Sequence, residues 1–462
     1  MAATKNSVKL EPVLGLPSLT AYGLMAMGVG AVFTVYGATA KVSDGHVAGS
    51  YLVALTSMIF TAHSYARFAQ AMPVAGSAYA YTSKSFGGVI GFFTGWTMLL
   101  DYVFLPMINF LLIGLYMNSV LTAVPPQVFV AISIVLVLIF NIVGVGWVGR
   151  LNAGMSIFGL LVGAVFVALT LVYVGGVRFS DVAGSIVPNN GIQPILAGAA
   201  VLALAFLGFD AISTLSEEAK NATRTVPIAI ILSTLIVGLF AFLISCMAAM
   251  LFPNWHDIQN IDASGTEMMQ MVGGVALMTV FLVYYVASTV LCGTAAQMGV
   301  SRILFAMGRD GVLPPAFSRL HRRFHTPYFA TAVVSLFSLV ALFITLDTAI
   351  YMINFGALVA FAMVNLGAFK YFIFDEKRRG VGALITYALL PLIGFGFTAW
   401  LWTSLAPFTF VLGGTWLALG VLLYGIRTNW FRQPPPAVEF DEHAAERAFE
   451  ENAASGEKEA PQ

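Results

Sequence analysis

Residues 195–216 read ILAGAAVLALAFLGFDAISTLS, an apolar run with a glycine and a carboxylate in its second half. The run is long enough to cross a membrane, because a spanning helix needs about 20 mostly apolar residues. Gly208 weakens the helix within the segment AFLGFD at 205–210, and Asp210 closes that segment. A broken helix leaves backbone amides and carbonyls free in the membrane, which is typical of transporter substrate sites. The stretch therefore predicts a helical membrane protein with a site at the break.

A second weakened helix lies near the start of the chain. The run at 16–39 carries Gly28, Val29 and Gly30 at its centre. Two interpretations stay open for this run: a break that faces a ligand, or glycines that let helices pack closely. The run at 16–39 opens the first half of the chain, and the run at 195–216 opens the second. Breaks at corresponding positions of the two halves favour a transporter site between them.

The composition places the whole chain in a membrane. It is 59% hydrophobic and only 10% charged, whereas soluble chains have about 25% charged residues. Its formal net charge is zero, so no global field favours nucleic acid as a partner. The two cysteines, Cys246 and Cys292, exclude a disulfide framework and a multi-cysteine metal site. The sequence has no Walker loop and no nucleophile with a base beside it, so we expect no cofactor, no metal, no ATP-driven pump and no enzyme.

Twelve apolar runs are long enough to span. They cover 16–39, 50–71, 87–121, 127–146, 152–175, 195–216, 226–252, 273–307, 328–346, 349–373, 381–404 and 407–427. Only helices satisfy their own backbone at this hydropathy. The prediction is an all-α membrane protein with about twelve transmembrane helices, numbered here as spans 1–12.

Basic residues orient these spans. If the N-terminus is inside, 20 of the 22 Lys and Arg residues fall in inside segments, and only Lys41 and Arg178 fall outside. Basic residues concentrate on the cytoplasmic side of membrane proteins. We therefore expect a multi-pass protein of the inner (cytoplasmic) membrane, embedded in the lipid bilayer, with both termini cytosolic. Residues 1–15 form the N-terminus, and the stretch 433–462, in which a proline run is followed by eight acidic residues, forms a solvated tail.

Two carboxylates lie well inside predicted spans, Asp101 in span 3 and Asp210 in span 6. A charge at the bilayer centre costs about 2.5–3.5 kcal/mol on insertion scales, and such residues usually mark a substrate or ion path. The alternative is an internal hydrogen bond or a neutral acid. No Lys or Arg lies deep enough in a span to pair with either acid, and two unpaired carboxylates suit a cation.

Other polar residues are weaker candidates. His63 in span 2 is either a proton relay or a packing histidine, and Gln297 in span 8 is a candidate for lining the cavity. Glu217 and Glu218 close span 6 near Lys220 and Arg224, which fits solvation of the span end, or a role in gating or coupling, better than substrate contact.

Several longer motifs occur in register along spans 1–10. They are RFAQAMPVAGSAYAY at 67–81, GFFTGWTMLLDY at 91–102, NIVGVGWVGR at 141–150, AFLGFDAISTLSEEAKNATRTVP at 205–227, SRILFAMGRDGVLPP at 301–315 and INFGALVAFAMVNL at 353–366. In these motifs the sequence resembles the amino acid–polyamine–organocation (APC) superfamily of transporters. It is most similar to the putrescine importers of that superfamily, at SDGHV (43–47), LDY (100–102), LPMIN (105–109) and GFD (208–210).

The resemblance implies a LeuT-type fold. In that fold spans 1–5 and 6–10 form a five-plus-five inverted repeat, here the transport core at 16–373, and two accessory spans follow at 374–432. The site is then lined by spans 1, 3, 6, 8 and 10, and transport is usually coupled to protons. Carried over by position, the substrate-binding residues are Gly28, Val29, Gly30, Asp101, Tyr102, Phe206, Gly208 and Asp210.

The sequence departs from the pattern of the superfamily's amino acid carriers at three positions. Val29 stands where those carriers often have a hydroxyl that helps to hold a carboxylate, and Asp101 stands where they tend to have a small or apolar residue. Both changes suit a substrate with more positive charge than a zwitterionic amino acid. Some proton-coupled members have a lysine in span 5 where this chain has Gly159, so a proton needs another carrier, Asp101, Asp210 or Glu218.

The favoured function is therefore uptake of a small diamine such as putrescine, coupled to protons. The alternative within the superfamily is an amino acid permease or exchanger. A channel needs a continuous pore, which the inverted repeat argues against. A receptor or enzyme needs a soluble domain or a cluster of reactive residues, and the sequence shows neither.

The topology is directly testable. A reporter that is active only in the periplasm, fused after Gln462, is expected to stay inactive, because the basic residues hold the C-terminus inside. A fusion at Arg178, in a loop expected outside, is the positive control. An active fusion at Gln462 would show that the number of spans is wrong by an odd number.

Overall fold

The computed structural model describes residues 14–73, 77–143, 148–187, 191–309, 314–321, 324 and 326–428, and every regular element in these ranges is a helix. Eleven helices are long and apolar enough to cross a membrane, and a shorter apolar helix, Tyr328–Leu342, takes the place of span 9. The predicted all-α membrane fold with about twelve spans is confirmed. The N-terminal residues 1–13 and the predicted acidic tail at 433–462 lie outside the described residues.

The spans begin and end close to the predicted positions. In chain order they are Leu16–Val42, Val47–Ala71, Gly88–Val120, Pro126–Val143, Val148–Val174, Gln193–Ser216, Ala222–Leu251, Ser264–Arg309, Tyr328–Leu342, Leu346–Asp375, Val381–Thr403 and Pro407–Arg427. Span 8 is interrupted at Gly274, whose φ of 64° is not helical. Span 9 ends four residues before the predicted 346, because Thr345 already caps span 10 by accepting a hydrogen bond from the Thr348 amide.

Short helices that were not predicted connect the spans. The helix Ser77–Phe86 packs on spans 3 and 10, and Phe179–Ile186 packs on spans 2 and 7. Single 3₁₀ turns occupy Trp255–Asp257, Ile261–Ala263 and Pro315–Ser318. Spans 10 and 11 contain π-helical turns at Tyr371–Asp375 and Ile385–Leu389.

Large apolar side chains are exposed along the outer spans. Ile132, Leu161, Leu239, Val283 and Val411 are examples, each more than half exposed. A soluble surface rarely presents such continuous apolar area, whereas lipid solvates it. The chain is therefore a multi-pass membrane protein, with its polar atoms turned inward.

Span 1 contains both a helix break and a closely packed glycine, at different positions. The helix breaks after Met27, where Gly28 is left-handed (φ 66°), and resumes at Ala31. Gly37 is a packing glycine, since a Cβ atom there would lie 2.2 Å from the Ile261 carbonyl oxygen.

Span 6 breaks more extensively than span 1. Its helix Gln193–Leu202 gives way to a 3₁₀ turn at Ala203–Phe206, then to extended Leu207 and to Gly208 with φ of 115°, and the span continues as the 3₁₀ segment Asp210–Glu218. Lipid cannot hydrogen-bond a freed backbone group, so the protein must do it.

A buried side chain of span 10 supplies the missing donor at this break. The Asn354 amide nitrogen donates to the carbonyl oxygens of Ala200 (2.9 Å) and Val201 (3.2 Å). Asn354 is fully buried. Span 10 thus supports the break in span 6 from behind.

We expect Asn354→Leu to destabilise the protein by about 1–3 kcal/mol, because two buried carbonyls lose their donor in a place that water does not reach. Thermal unfolding in detergent, followed by size-exclusion chromatography, measures the loss. Asn118→Leu is the matched control, since Asn118 also donates to a backbone carbonyl, that of Val124, but lies only half-buried at a helix end. An equal loss in both variants would contradict the role given to Asn354.

Candidate functional site

The two breaks border one small cavity of about 80 Å³. Gly28 and Gly30 of span 1 line it, as do Leu204 and Leu207 of span 6. Spans 3 and 8 complete the wall with Leu105, Ile108, Asn109, Leu112, Tyr285, Ser288, Thr289 and Cys292. The cavity therefore joins four of the five spans expected at the site, with amide, hydroxyl and thiol groups among its lining.

The breaks also touch each other. Gly208 packs against the backbone of Ala26, so closely that a Cβ atom on it would lie 2.6 Å from the Ala26 carbonyl carbon. Gly28 has open space around it, and only its positive φ requires glycine. Close approach fixes Gly208, whereas backbone conformation alone fixes Gly28.

Asp210 is held by the break in span 6. It is 2% exposed. Its Oδ1 accepts a hydrogen bond from the Gly208 amide (3.2 Å), and its Oδ2 accepts one from the Tyr102 hydroxyl (3.2 Å). The carboxylate thus satisfies a freed amide and ties span 6 to span 3.

Asp101 precedes Tyr102 in span 3 and has a different environment. It is 3% exposed, and among the described residues its Oδ1 has no hydrogen-bond partner. It is close enough to Asp210 to interact with it electrostatically. No Lys or Arg pairs with either acid in the part of the chain that the structure describes. The structure therefore brings the two acids together and leaves one of their oxygens unsatisfied.

The acid pair lies beside the cavity rather than in its wall. Asp101, Leu105, Ile108 and Leu112 share one face of span 3 by helical spacing. Leu105 lines the cavity, and Asp101 is one turn, about 6 Å, closer to the start of the span. Asp210 follows the span 6 break and also lies toward the face where span 1 begins, called here the N-terminal face. Sequence reasoning placed the glycines and acids in one cavity; in the structure Gly28 and Gly30 line the cavity, whereas Gly208 and the two acids do not.

Pro106 leaves one backbone carbonyl of span 3 without its helical hydrogen bond near the acids. A proline has no amide hydrogen, so the carbonyl of Tyr102, four residues earlier, has no partner within the helix. Span 3 nevertheless continues to Val120 without a break. The backbone beside the acids thus offers one more acceptor.

The remaining sequence candidates are placed as follows. Val29 and Phe206 are buried. Glu218 ends span 6 at the N-terminal face, where its backbone carbonyl accepts from the Leu14 amide (2.9 Å). The side chain of Glu217 lies outside the described residues. The functional roles of these four residues remain predictions.

Three residues that the sequence left ambiguous have packing partners. His63 Nε2 is 3.0 Å from the Thr386 carbonyl oxygen, which joins spans 2 and 11. Gln297 donates to Thr331 and Ser335, which joins spans 8 and 9. At Gly159 a Cβ atom would overlap the hydroxyl of Tyr284, so a tyrosine of span 8 fills the space beside this position.

Sequence reasoning missed several residues near the site. Cys292 lines the cavity, as do Ser288 and Thr289. Tyr65 contacts the ring of Phe209, next to Asp210 (5.4 Å between centroids). The ring of Tyr81 meets that of Tyr65 (5.8 Å between centroids), and Tyr81 had a sequence signal as part of the quoted motif at 67–81. Among the described residues, no group of three His, Cys, Asp or Glu side chains is placed to hold a metal ion.

Comparison with known proteins agrees with this architecture. The amino acid permease family matches residues 16–426. The low-affinity putrescine importer PlaP of Escherichia coli (strain K12) is 35% identical over 443 residues, which cover 94% of this chain and 97% of that protein. The branched-chain amino acid permease BcaP of Bacillus subtilis (strain 168) is 27% identical over 92% of this chain and 94% of its own. The methylthioribose transporter of the same bacterium is 27% identical over 88% and 92%.

The glycines at the breaks should differ in their tolerance of a methyl group. Gly208→Ala is expected to abolish uptake, since it combines a positive φ with overlap on Ala26. Gly28→Ala should cost about 1 kcal/mol, for the backbone conformation alone. Gly396→Ala is the control, because Gly396 lies within a helix of span 11, is exposed and has no atom within 4 Å of a Cβ placed on it. Uptake and thermal stability of the three variants measure the order, and a fully active Gly208→Ala protein would contradict it.

Proposed function

The chain belongs to the amino acid permease family, and on that premise we propose that it is a secondary active transporter that imports a small cationic amine, most simply putrescine, together with protons. The observation that carries the proposal is the unsatisfied carboxylate oxygen of Asp101, buried in a spanning helix beside a second acid. A buried carboxylate is stabilised only by a charge or hydrogen-bond partner. In the described part of the chain the protein provides no cation, and an ammonium group of the substrate supplies one.

A diamine fits the two levels of the site. The bond lengths of a four-carbon diamine separate its two nitrogens by about 6 Å when extended, which is the rise between Asp101 and the cavity wall at Leu105. One ammonium then lies at the acids, and the other lies among the hydroxyl, amide and carbonyl groups of the cavity. The 35% identity to a putrescine importer supports the same class of substrate.

The acids also suit proton coupling. When no amine is bound, a proton on Asp101 neutralises a charge that burial disfavours. When an amine arrives, its positive charge stabilises one carboxylate of the pair while the proton stays on the other, so the amine and the proton cross together. Asp210 shares this role as the partner acid, and Glu217 and Glu218 are the proposed gate at the N-terminal face. Among the described residues, Asp101 and Asp210 are the only buried carboxylic acids.

The basic residues suggest how the chain is oriented in the membrane. We place the N-terminal face, and with it both termini, in the cytosol, and the protein in the inner cell membrane. The transport core then covers 16–373, the accessory spans cover 374–432, and the tail at 433–462 is cytosolic. The acids thus lie on the cytosolic side of the cavity, on the route by which an imported cation leaves.

A second candidate is import or exchange of a neutral amino acid. The cavity itself contains no acid, and freed backbone groups with Ser288 and Thr289 suit an α-carboxylate and α-amine. One relative is a branched-chain amino acid permease. In that case the substrate needs the breaks and not the acid pair, which separates the two candidates experimentally.

We expect Asp101→Asn and Asp210→Asn each to weaken putrescine binding by about 10- to 150-fold, because a hydrogen bond to a charged group contributes about 1.5–3 kcal/mol. Uptake of labelled putrescine into proteoliposomes, with and without a proton gradient, measures the effect. Asp257→Asn, on an exposed loop, is the matched control.

Two other outcomes discriminate among the alternatives. If neutral amino acids enter at full rate in Asp101→Asn and putrescine never competes with them, the amino acid function replaces the diamine function. If both acid variants bind putrescine normally but no longer accumulate it with a proton gradient, the acids carry protons and not substrate.

A further inference from the structure

Two threonines that line the cavity between the breaks have already donated their hydroxyl hydrogens. The Thr34 hydroxyl of span 1 donates to the Ala31 carbonyl oxygen (2.6 Å), and the Thr289 hydroxyl of span 8 donates to the Tyr285 carbonyl oxygen (2.7 Å). Both threonines are buried. A hydroxyl has one hydrogen and two lone pairs, so each threonine leaves the cavity an oxygen that accepts hydrogen bonds and has no hydrogen to give.

The phenol of Tyr285 does not use up these acceptors. Tyr285 also lines the cavity, and its hydroxyl lies within hydrogen-bond reach of Thr34 and Thr289, which places the two threonines on one side of the cavity. The phenol has a single hydrogen and two lone pairs of its own. It therefore fills at most one acceptor position of the threonines and leaves the others for a ligand.

An amide of span 3 adds an acceptor to the same cavity. The Asn109 nitrogen donates to the Leu105 carbonyl oxygen (2.8 Å), and the Asn109 side chain also hydrogen-bonds the Cys292 thiol. The nitrogen and the oxygen of an amide point apart, so a nitrogen that bonds its own helix turns Oδ1 away from that carbonyl. An amide oxygen has two lone pairs. Spans 1, 3 and 8 thus each contribute an acceptor.

Most other donors of the cavity are already committed. The amides of Gly28, Ala31 and Leu207, which line it, donate to carbonyl oxygens of their own segments at 3.1, 2.8 and 3.1 Å. The Ser288 hydroxyl hydrogen-bonds the Tyr284 hydroxyl. The cavity therefore offers more acceptors than donors, which suits a ligand group that donates.

The distance from the acids to these acceptors matches a four-carbon diamine. Asn109 follows Asp101 by eight residues in the continuous helix of span 3, a rise of about 12 Å. The two nitrogens of the extended diamine are about 6 Å apart, and each N–H···O bond adds about 3 Å. A diamine bonded to Asp101 at one end thus reaches the acceptors of the cavity at the other.

We infer that Thr34, Asn109 and Thr289 bind the second ammonium group of the substrate and determine the preference for a diamine. A primary ammonium has three N–H donors and no acceptor, which matches three oxygens. It takes about the place of one water, or about 30 Å³, and the cavity of about 80 Å³ has room for it. This inference rests on the proposed function and deepens it, because it names the residues that recognise the end of the amine far from the acids.

The same polarity rejects a carboxylate at this end. 4-Aminobutanoate has the length of putrescine, but a carboxylate oxygen stands where putrescine has its second nitrogen. A carboxylate only accepts hydrogen bonds, so Thr34 and Thr289 would have to give up their bonds to Ala31 and Tyr285 to hold it. We expect 4-aminobutanoate to compete with putrescine at least about 100-fold more weakly than unlabelled putrescine does, because it loses the hydrogen bonds of a charged group.

The test removes the hydroxyls and keeps the shape of the side chains. Putrescine, 4-aminobutanoate and n-pentylamine, in which a methyl group replaces one ammonium, compete with labelled putrescine for uptake into proteoliposomes. In Thr34→Val and Thr289→Val the affinity for putrescine should fall about tenfold, the lower end for a lost hydrogen bond to a charged group. The affinity for n-pentylamine should stay unchanged, since its methyl end makes no hydrogen bond.

Two control variants separate recognition from packing. Thr294 lies in the same span, is 2% exposed and donates its hydroxyl to the Val290 carbonyl oxygen (2.7 Å), but it does not line the cavity. Thr294→Val should leave all three affinities as in the wild type. Thr289→Ser keeps the hydroxyl and should keep the wild-type preference for putrescine over n-pentylamine.

The outcomes distinguish this inference from the proposed function. Equal losses of affinity for putrescine and n-pentylamine in the valine variants would show a structural role of the hydroxyls and overturn the inference. So would 4-aminobutanoate that competes as well as putrescine, or unchanged putrescine affinity in both valine variants of a protein that imports putrescine normally. Wild-type protein that takes up no diamine overturns the proposed function itself.

Discussion

Every backbone polar group of this chain that lies in the bilayer must find its partner inside the protein, and the architecture around the two broken helices follows from this constraint. Span 6 loses helical hydrogen bonds over about two turns, and the losses are repaired by Asn354 from span 10 and by the carboxylate of Asp210. In span 1, the Phe33 carbonyl near the break accepts hydrogen bonds from the hydroxyls of Tyr116 and Ser264. The breaks exist only because spans 3, 8 and 10 surround them, so the same spans define the site.

The same constraint distinguishes the roles of the two acids. Asp210 has a structural task, since it accepts a hydrogen bond from a freed amide, and it is tied to Tyr102. Asp101 has no such task for its free oxygen. Burial destabilises the charged form of this carboxylate, and no described residue offsets that cost. The fold itself therefore does not require this acid. It is the point at which the structure calls for a partner from outside, either a cationic substrate or a proton.

The sequence predicted the features that hydropathy and charge encode directly. The spans, the breaks at Gly28 and Gly208 and the burial of both acids were each legible in the linear pattern, because lipid imposes a long apolar run and makes each exception costly. The helix Ser77–Phe86 was not predicted, because it is short and its polar residues interrupt the apolar run that marks a span. It packs against spans 3 and 10. The end of span 9 depended on a cap at Thr345, which a hydropathy pattern does not show.

The sequence predicted which residues belong to the site, but not how they are arranged relative to the cavity. The pattern identified Asp101 and Asp210, whereas their separation from the cavity by one turn depends on the three-dimensional register of span 3. Tyr65 and Cys292 gave no signal, because a buried tyrosine or cysteine in an apolar run looks like any packing residue until its neighbours are known. The roles of Val29, Phe206 and Glu218 stay predictions.

The most direct measurement is an experimental structure of the full chain in lipid with putrescine bound, at a resolution that places the ligand nitrogens. The account predicts one nitrogen within hydrogen-bond distance of Asp101 Oδ1 and the second toward the cavity between the breaks. Density for putrescine confined to the cavity, with Asp101 Oδ1 hydrogen-bonded only to protein or water, would contradict it.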